Sequence, residues 1–425
     1  MIVDADLRVP GDKSITHRAL ILAGMARGTS RIVGALTSFD ARSTARVLRQ
    51  LGADVSPLAA GRDIIVGGRG RFRRPATALH CGNSGTSARL LLGLLAAHRF
   101  TATLTGDPSL RRRPMRRVTD PLARMGARFT SKNPDGLPLM VRGGKLTPLQ
   151  YELPVSSAQL KSALLLAGMA GGVEVEVREP AGRSRDHTER MLRFFGYDIE
   201  DDGEWIRFAP TGRIAPVAFE VPGDASSAAF LIGAALLAEG GQLRLRGVGL
   251  NPTRTGFLRV LARMGATVTV EEFHEAFGEP VGDVSVAPAH LHATEVAPGE
   301  IPGLIDEIPL LSVLASRATG TTVFREVGEL RVKESDRLGL LASNLRAVGA
   351  RAESRGNTLT VEGGAAAPAG RVITAGDHRI AMAFAVLGTL PGARIRVDNP
   401  ECAGVSYPGF HESLRALRAV GRRRA

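Results

Sequence analysis

The stretch PGDKSITHRALILAGMARG, residues 10–28, joins a turn of Gly, Asp and Ser to a helix of small and aliphatic residues. Five similar stretches follow at intervals of about 70 residues: CGNSGTSARLLLGLLA (81–96), VSSAQLKSALLLAGMAGG (155–172), PGDASSAAFLIGAALLAEG (222–240), IDEIPLLSVLASRATG (305–320) and GDHRIAMAFAVLG (376–388). This length is too great for a solenoid unit, and the recurrence is too regular for chance. The chain is therefore predicted to consist of six repeats.

A second, amphipathic helix is predicted near the middle of most repeats, and each of these helices ends in a glycine followed by a strand pattern. The segments are RVLRQLGADV (46–55), PLARMGARF (121–129), RMLRFFGYDI (190–199), RVLARMGATV (259–268) and NLRAVGARA (344–352). A glycine directly after the last turn is typical of a helix C-cap. The last repeat is cut short at ESLRALRAVG (412–421).

The first helix of each repeat has almost no polar face, so it must be surrounded on all sides. Three repeats clustered around their first helices would meet this demand, and six repeats then form two domains of mixed α/β structure. We expect the first domain at 12–221 and the second at 222–425, with the strand in 1–11 completing a sheet of the second. The chain would then cross from one domain to the other twice, near Gly11 and near Val221-Pro222. We expect the active site in the cleft between the domains.

Composition limits the class of protein. Hydrophobic residues make up 44% of the 425 residues, and no apolar run approaches the roughly 20 residues that a membrane span requires. The N-terminal residues have no basic segment leading into an apolar one, so no signal peptide is predicted. Cys81 and Cys402 lie far apart and indicate a reducing compartment rather than a disulfide framework or a metal cluster. We therefore expect a cytoplasmic protein.

Charge indicates the kind of partner. The net charge is +13 and the sequence pI is about 10.8, which favours nucleic acid, a membrane surface or phosphorylated small molecules. Lysine is a compact point charge that can release its proton, whereas arginine suits bidentate contacts. The few lysines of this arginine-rich chain are therefore candidate site residues: Lys13, Lys132, Lys145, Lys161 and Lys333.

The turns before the six first helices are candidate anion sites. Backbone N–H groups and the positive end of the helix dipole point outward there. For any single turn, a simple N-cap is the commoner explanation, but six such turns converging on one cleft, several with Lys or Arg, favour phosphate and carboxylate binding. A P-loop is excluded because its two glycines, six residues and one residue before the Lys, are replaced here by Leu7 and Asp12, so ATP is not indicated.

Seven motifs resemble, in order, those of the 5-enolpyruvylshikimate-3-phosphate synthase family. They are PGDKSITHRAL (10–20), GNSGTSAR (82–89), RPM (113–115), SSAQ (156–159), RDHTE (185–189), RVKESDRL (331–338) and DHRIAM (377–382). One motif alone is a weak signal, but seven in family order are specific and span most of the chain. The resemblance implies two inside-out α/β barrel domains built from six βαβαββ repeats, three per domain.

The resemblance also implies an activity, enolpyruvyl transfer from phosphoenolpyruvate to the 5-hydroxyl of 3-phosphoshikimate. Such a reaction needs a base near the hydroxyl, an acid/base near the methylene carbon and a cation at the leaving phosphate. The resemblance assigns Asp306 as proton acceptor, Glu334 to the methylene carbon and Lys13 to both substrates, with Lys333 and His378 as supports. From the residues alone, Asp306 is also readable as a helix N-cap and Glu334 as part of a charged turn.

Binding residues follow from the same resemblance. For 3-phosphoshikimate they are Lys13, Ser14, Arg18, Ser157, Gln159, Arg185, Asp306 and Lys333. For phosphoenolpyruvate they are Lys13, Asn83, Gly85, Arg113, Gln159, Arg337 and Arg379. No metal and no organic cofactor is expected. We expect a monomer whose partners are the two small-molecule substrates, without nucleic acid or membrane.

Two positions bear on the phosphoenolpyruvate site. Val405 stands where some members of the family have a Lys that faces phosphoenolpyruvate. Glyphosate competes with phosphoenolpyruvate in this family, and the absence of a side chain at Gly85 implies an inhibitor-sensitive enzyme.

The sequence leaves two other functions open. A sister family transfers enolpyruvyl to a UDP-amino sugar and shares the six-repeat fold, but it uses a loop with a reactive Cys, and the corresponding loop here (106–118) has none. A basic nucleic-acid-binding protein would interleave its cations with stacking aromatic residues. Aromatic residues make up only 4% of this chain, with one Trp and three Tyr.

Overall fold

The structure is a computed structural model that describes residues 1–364 and 366–422. The chain forms two compact units. The N-terminal unit contains Gly11–Val221 together with the short segment Ala276–Glu279. The C-terminal unit contains Met1–Pro10, Pro222–Glu275 and the described residues from Pro280 onward.

Thirteen α-helices occur among the described residues. Those of the N-terminal unit are α1 (Lys13–Met25), α2 (Phe39–Gln50), α3 (Gly85–Ala96), α4 (Pro108–Arg112), α5 (Arg116–Arg124), α6 (Ala158–Gly171) and α7 (His187–Phe194). Those of the C-terminal unit are α8 (Ala225–Leu236), α9 (Gly256–Arg263), α10 (Ile308–Ala315), α11 (Arg337–Ala347), α12 (His378–Leu387) and α13 (Phe410–Arg422). Three short 3-10 helices span Pro298–Gly303, Gly328–Val332 and Pro400–Val405.

Twenty-two strands connect these helices in the described part of the chain. The first thirteen are β1 (Ile2–Leu7), β2 (Arg27–Val33), β3 (Asp54–Val55), β4 (Ile64–Arg69), β5 (Leu79–His80), β6 (Thr101–Thr105), β7 (Arg128–Ser131), β8 (Leu139–Arg142), β9 (Leu149–Glu152), β10 (Val175–Arg178), β11 (Asp198–Asp201), β12 (Trp205–Ala209) and β13 (Ala218–Glu220). The others are β14 (Gly240–Gly249), β15 (Val268–Ala276), β16 (Glu279–Val286), β17 (Glu295–Val296), β18 (Thr321–Phe324), β19 (Arg351–Arg355), β20 (Thr358–Glu362), β21 (Ala369–Val372) and β22 (Arg394–Val397).

The strands form six sheets, one for each predicted repeat. Five have four strands, in the orders β13-β2-β4-β3, β5-β6-β8-β7, β11-β12-β10-β9, β1-β14-β16-β15 and β17-β18-β20-β19, and the sixth is the pair β21-β22. Each sheet contains a parallel pair. In four sheets this pair is joined by a first helix, as parallel strands require a crossover connection.

The other two sheets exchange a strand. β1 precedes α1 in the chain but pairs with β14, and β13 precedes α8 but pairs with β2. β1 therefore belongs to the C-terminal unit, although α1, which follows it, begins the N-terminal unit.

The first helices form the centre of each core. In the N-terminal unit α3 packs on α6 and on α1, and in the C-terminal unit α8, α10 and α12 pack on one another. Every residue of α8 and of α10 is buried. Helices without a polar face lie where apolar side chains surround them, as the hydrophobic pattern predicted.

The second helices end as predicted. The five glycines that follow them all have a positive φ, which residues other than glycine adopt with strain. They are Gly52 (94°), Gly126 (112°), Gly196 (78°), Gly265 (93°) and Gly349 (94°). The chain turns out of each helix there and enters the next strand.

The turn between β15 and β16 was not predicted. Its segment Ala276–Glu279 belongs to the N-terminal unit, where the ring of Phe277 lies 4.8 Å from that of Phe194 and 5.1 Å from that of Phe219. The carboxylate of Glu279 pairs with His187 Nδ1 at 2.7 Å. The chain therefore passes between the units four times rather than twice, because sequence patterns do not show which distant side chains a turn will meet.

Within the residues that the structure describes, none of the helices combines the length and the apolar character needed to cross a membrane.

The contact between α3 and α6 supplies a stability prediction. Gly93 of α3 faces Ala163 of α6, and a methyl group at Gly93 would overlap the backbone of Ala163. Overpacking a close helix contact of this kind costs about 1–3 kcal/mol. Gly93→Ala should therefore lower the free energy of unfolding by about that amount, measured by urea denaturation.

Gly24→Ala is the matched control because Gly24 is also a buried helix glycine. The nearest atom to its added methyl would be Leu48 Cδ2 at 3.3 Å, the end of a side chain that can shift. Its unfolding free energy should change less. Equal effects of the two substitutions would contradict the close contact between α3 and α6.

Candidate functional site

Side chains fix the helix starts of the N-terminal unit. Asp12 accepts a hydrogen bond from Ile15 N at 2.8 Å, and Ser84 accepts one from Ser87 N at 3.1 Å. Ser157 occupies the same place before α6, 3.5 Å from Leu160 N. Each cap satisfies one of the four free N–H groups of a first turn and leaves others for an anion.

In the C-terminal unit, two of the three first helices are capped in the same way, by Asp224 and Asp377. The third, α10, begins after Glu307, which makes no side-chain cap. The reading of Asp306 as the N-cap was wrong, because Asp306 stands one residue earlier and its carboxylate points to cationic side chains.

A chain of buried hydroxyl groups joins α1 to α3. His17 Nδ1 lies 2.7 Å from Thr44 Oγ1, which lies 2.5 Å from Ser87 Oγ, and Ser87 Oγ donates to Ser84 Oγ at 2.7 Å. Burial, with the nearby Lys13 and Arg18, lowers the pKa of His17 to about 3. His17 is therefore neutral at physiological pH and holds the two helix starts in place through hydrogen bonds.

Lys13 and Ser14 occupy the first turn of α1. Lys13 Nζ lies 3.5 Å from Asp40 Oδ2, and the Lys13 side chain keeps 17% of its surface exposed. The carbonyl of Ser14 accepts a hydrogen bond from Arg18 Nη1 at 3.0 Å. These positions place a half-buried ammonium group at the positive end of a helix.

Arg18 is buried and largely occupied by its own unit. Nε donates to Thr188 Oγ1 and Nη2 donates to Ser162 Oγ, both at 2.7 Å. Burial lowers the pKa of Arg18 to about 10, and the charge of Arg185 nearby acts in the same direction. The carboxylates of Glu189 and Asp12 oppose this lowering, so Arg18 is surrounded by charges of both signs.

A second group of predicted residues surrounds the start of α3. Arg113 donates a short hydrogen bond to Asn83 Oδ1. Gln159 lies nearby, donating to Thr86 Oγ1 at 2.9 Å. Gly85 begins α3, and a methyl group there would come within 3.1 Å of Arg113 Nη1.

Arg89 is a residue of this group that sequence reasoning missed as a site residue. Its Nη1 donates to Gln159 Oε1 at 2.6 Å, and its Nη2 donates to the carbonyl of Pro114 at 3.1 Å. Arg89 stands four residues after Gly85, on the same face of α3. That spacing, inside a motif already recognised, is the signal that could have identified it.

The start of α6 is tied to the turn that carries Arg185. Ser156 Oγ donates to the carbonyl of Ala181 at 2.7 Å and accepts a hydrogen bond from the N–H of Ala181 at 3.1 Å. These two hydrogen bonds link the residue before Ser157 to the turn that carries Arg185. Nine of the predicted site residues lie in the N-terminal unit: Lys13, Ser14, Arg18, Asn83, Gly85, Arg113, Ser157, Gln159 and Arg185.

The remaining six lie in the C-terminal unit, with Asp306 at their centre. Asp306 Oδ1 is 3.3 Å from Arg337 Nη1 and 3.9 Å from Lys333 Nζ, and its Oδ2 is 3.8 Å from Arg379 Nη2. Arg337 also pairs with Glu334 through a short hydrogen bond. The predicted base and the predicted acid/base therefore share one arginine.

Arg337 is the most constrained of these groups, with only 1% of its side chain exposed. Its Nε donates to Asp377 Oδ2 at 2.7 Å. Burial opposes the charge of Arg337, but the Asp377, Glu334 and Asp306 carboxylates outweigh it and raise the pKa of Arg337. Burial alone would raise the pKa of Asp377, and Arg337 reverses this, so the pKa lies below the ordinary 3.8.

His378 and Arg379 begin α12, and both are buried. Arg379 Nη1 donates to the Asp306 carbonyl at 2.9 Å and lies 3.5 Å from Glu307 Oε1. Arg254, which the sequence did not single out, donates to both oxygens of Glu307 at 2.9 Å. Arg254 thus fixes the carboxylate next to Asp306 in the chain.

The two groups suit different chemical tasks. The group of the N-terminal unit presents cations, an amide and helix N-termini, which suit phosphate and carboxylate oxygens. That of the C-terminal unit presents carboxylates held by cations, which suit proton transfer. Among residues 1–364 and 366–422, no three His, Cys, Asp or Glu side chains form a cluster that would hold a metal ion.

The Asp377–Arg337 pair generates a prediction about stability and pH. Asp377→Asn keeps an acceptor for capping α12 but removes a buried charge, which should cost about 3 kcal/mol of unfolding free energy at pH 7. The pKa of Asp377 is lowered by folding, so its stabilisation is complete above the unfolded pKa of about 4 and is lost as pH falls through the folded pKa. Urea denaturation at pH 7, 5 and 3 should show the difference between wild type and variant shrinking at pH 3.

Glu362→Gln is the control, because Glu362 pairs with Arg351 at the surface. An exposed ion pair contributes about 0–1 kcal/mol to the free energy of unfolding, so Glu362→Gln should change it by no more than that. A difference for Asp377→Asn that stays constant down to pH 3 would contradict a depressed pKa for Asp377.

Known proteins resemble the chain over nearly its whole length. The family model of EPSP synthase (3-phosphoshikimate 1-carboxyvinyltransferase) matches residues 2–414. A 3-phosphoshikimate 1-carboxyvinyltransferase of Thermus thermophilus is 49% identical over 417 residues, covering 97% of this chain and 96% of the relative. That of Gloeobacter violaceus is 47% identical over 419 residues, covering 98% and 97%.

Solved structures give the same result. The EPSP synthase from Acinetobacter baumannii has a TM-score of 0.86 and 38% identity, covering 98% of this chain and 96% of its own. The enolpyruvyl transferase NikO from Streptomyces tendae, with a TM-score of 0.76 and 21% identity over 98% of this chain and 95% of its own, shares the fold. The predicted fold class, six α/β repeats in two inside-out barrel domains, is confirmed by these likenesses. Because the family model spans nearly all of the sequence and relatives share close to half of its residues, the chain belongs to the EPSP synthase family.

Proposed function

We propose that this protein transfers the enolpyruvyl (1-carboxyvinyl) group of phosphoenolpyruvate to the 5-hydroxyl of 3-phosphoshikimate. The products are 5-enolpyruvylshikimate 3-phosphate and phosphate, in the shikimate pathway to chorismate and the aromatic amino acids. The observation that carries the proposal is the family match over residues 2–414.

The N-terminal unit supplies binding groups for 3-phosphoshikimate in this proposal. Lys13, Ser14, Arg18 and Arg185 take the phosphate and ring oxygens, and Ser157 and Gln159 take the hydroxyl groups. Arg18 uses three donor positions inside the unit, which leaves one N–H on each of Nη1 and Nη2. Its partner for the phosphate is Arg185, whose charge acts on Arg18.

Phosphoenolpyruvate is bound by Asn83, Gly85, Arg113, Gln159 and Lys13 in the same unit. We add Arg89 as a residue that positions Gln159, because Arg89 donates to Gln159 Oε1 while the Gln159 amide donates to Thr86. From the C-terminal unit come Arg337 and Arg379.

Proton transfer is assigned to the carboxylates of the C-terminal unit. As the 5-hydroxyl oxygen bonds to C2 of phosphoenolpyruvate, its proton passes to Asp306 while C3 takes a proton from Glu334. In the second step Glu334 takes a proton back from C3, the C2–C3 double bond forms again and the bond between C2 and the phosphate oxygen breaks, while the proton held by Asp306 passes to the departing phosphate. Lys333 and His378 support these groups, and Lys13 stabilises the departing phosphate. The proposal requires both units to act on one pair of substrates.

The remaining expectations are part of the same proposal. The enzyme works as a cytoplasmic monomer with its two substrates as partners, and no metal or organic cofactor takes part. Cys81 and Cys402 are both buried as free thiols, and burial raises the pKa of Cys81 to about 12. These thiols suit packing rather than catalysis.

The other two functions have no specific support. The loop at 106–118 has no Cys to act as the sister family's reactive residue. The basic charge fits anionic small substrates as well as it fits nucleic acid.

Phosphate release tests the proposal and the role of Asp306 together. The wild-type protein should release phosphate from phosphoenolpyruvate only when 3-phosphoshikimate is present. Asp306→Asn keeps the shape but removes the base, so turnover should fall by roughly 10²–10⁴-fold, while the dissociation constant of 3-phosphoshikimate changes far less.

Glu300→Gln is a control carboxylate, since Glu300 pairs with Arg263 at the surface; its turnover should match wild type. Phosphate release that is independent of 3-phosphoshikimate would overturn the function. Near wild-type turnover in Asp306→Asn would overturn only the role of Asp306.

Gly85 generates a prediction about glyphosate. A methyl group at this position would lie 3.1 Å from the Nη1 atoms of both Arg113 and Arg89, so both guanidinium groups would have to shift. Crowding at this turn should disfavour the longer inhibitor more than phosphoenolpyruvate. Gly85→Ala should raise the ratio of the glyphosate inhibition constant to the phosphoenolpyruvate Michaelis constant.

Gly144→Ala is the control, because a methyl group there meets nothing within 4 Å. Its ratio should equal that of wild type. If the ratio does not rise in Gly85→Ala, this turn is not beside the phosphoenolpyruvate site.

A further inference from the structure

Lys161 is a buried charge that the proposed mechanism does not use. It lies in α6 with none of its side chain exposed, 2.9 Å from Glu179 Oε2 and 2.8 Å from Glu189 Oε1. Burial opposes its charge, but the two carboxylates outweigh burial and raise the pKa of Lys161. Lys161 is therefore fully protonated at physiological pH.

This cluster holds one residue, Ser184, on three sides. The N–H of Ser184 donates to Glu179 Oε2 at 3.1 Å, and its hydroxyl donates a short hydrogen bond to Glu179 Oε1. Lys161 Nζ donates to the Ser184 carbonyl at 3.2 Å. Both backbone polar groups of Ser184 and its side chain are thus bound to one ion pair, and Ser184 itself is 3% exposed.

The cluster of Lys161, Glu179 and Ser184, which we call the clamp, connects two parts of the proposed site. Lys161 follows Gln159 by two residues in the first turn of α6, and Ser184 directly precedes Arg185. The clamp therefore fixes where the Arg185 turn lies relative to the start of α6.

Stability alone is a weak reason for such a cluster. Replacing a buried ion pair with apolar groups of similar volume is often neutral or stabilising, so the geometry that this pair fixes explains it better than stability does. Glu179 uses both of its oxygens on Ser184 and Lys161. What the pair provides that an apolar pair would not is a defined orientation of the peptide before Arg185.

We propose that Lys161 and Glu179 are positioning residues that hold Arg185 for the phosphate group of 3-phosphoshikimate. This inference rests on the proposed function. The ion pair acts through Arg185 and does not touch the substrate. Removing it should weaken binding of the phosphorylated substrate and leave binding of unphosphorylated shikimate unchanged.

Glu179→Gln tests the inference, since the amide keeps one acceptor but loses the charge that orients Ser184 and Lys161. Groups that orient a metal ligand typically change metal affinity by about 10- to 100-fold when removed, and we expect an effect at the lower end of that range here. The dissociation constant of 3-phosphoshikimate, measured by calorimetry, should rise about 10-fold, and that of shikimate should change by less than about 2-fold.

A double-mutant cycle with Arg185→Ala separates positioning from a general structural effect. If Glu179 acts through Arg185, Glu179→Gln should change the dissociation constant by less than about 2-fold in the Arg185→Ala background. Effects that multiply fully in the double variant would overturn the inference. A wild-type protein that does not bind 3-phosphoshikimate would overturn the proposed function as well, which distinguishes the two failures.

Two further variants keep the test decisive. Ser184→Ala removes a single hydroxyl donor, so the dissociation constant of 3-phosphoshikimate should rise by a smaller factor and that of shikimate should stay unchanged. This variant keeps the test available if Glu179→Gln fails to fold. Val141→Ala creates a cavity in β8, away from the clamp, and should lower stability without changing either dissociation constant. A phosphate-selective loss in Val141→Ala would show that destabilisation alone explains the effect and would also overturn the inference.

Discussion

A helix without a polar face has to be enclosed, and most of this structure follows from that demand. Six such helices occur in a chain of 425 residues, and each unit encloses three of them with strands and amphipathic helices. Packing the helices side by side places their starts in comparable positions within the unit. The N-terminal N–H groups, which no helix can satisfy internally, are then available to ligands or to capping side chains. Burial of apolar surface thus determines where polar chemistry can occur.

Both units stabilise their polar groups by surrounding a cation with several carboxylates or hydroxyl groups. Arg337 meets Asp306, Glu334 and Asp377, and Lys161 meets two glutamates. Each ion is unfavourable to bury alone, so the partners depend on one another and hold fixed positions. Such groups are suited to reactions in which donors and acceptors have to be in place before the substrate arrives.

The repeat count, the six first helices and the five glycine C-caps could be predicted because they depend on local patterns of period and turn chemistry. The grouping of Asp306 with Lys333 and Arg337 was predicted through the resemblance. Three links between distant residues were not predicted: Arg89 with Gln159, Lys161 with Glu179, and the segment Ala276–Glu279 in the N-terminal unit. Each of these depends on which side chains meet in three dimensions, and no periodicity records that. The N-cap of α10 was misplaced by one residue, because Asp306 and Glu307 are adjacent carboxylates and the sequence pattern does not distinguish them.

Because β1 and β13 are exchanged, cutting the chain in the middle does not separate it into the two units of the fold. A fragment ending at Val221 would contain β1 without its strand partner β14, and would lack the phenylalanine that covers Phe194 and Phe219. A fragment beginning at Pro222 would leave one edge of β14 uncovered, and an open edge of this kind recruits strands from other chains. Split versions of this protein therefore need both pieces made together, and circularly permuted versions need residues 1–10 kept with the C-terminal unit.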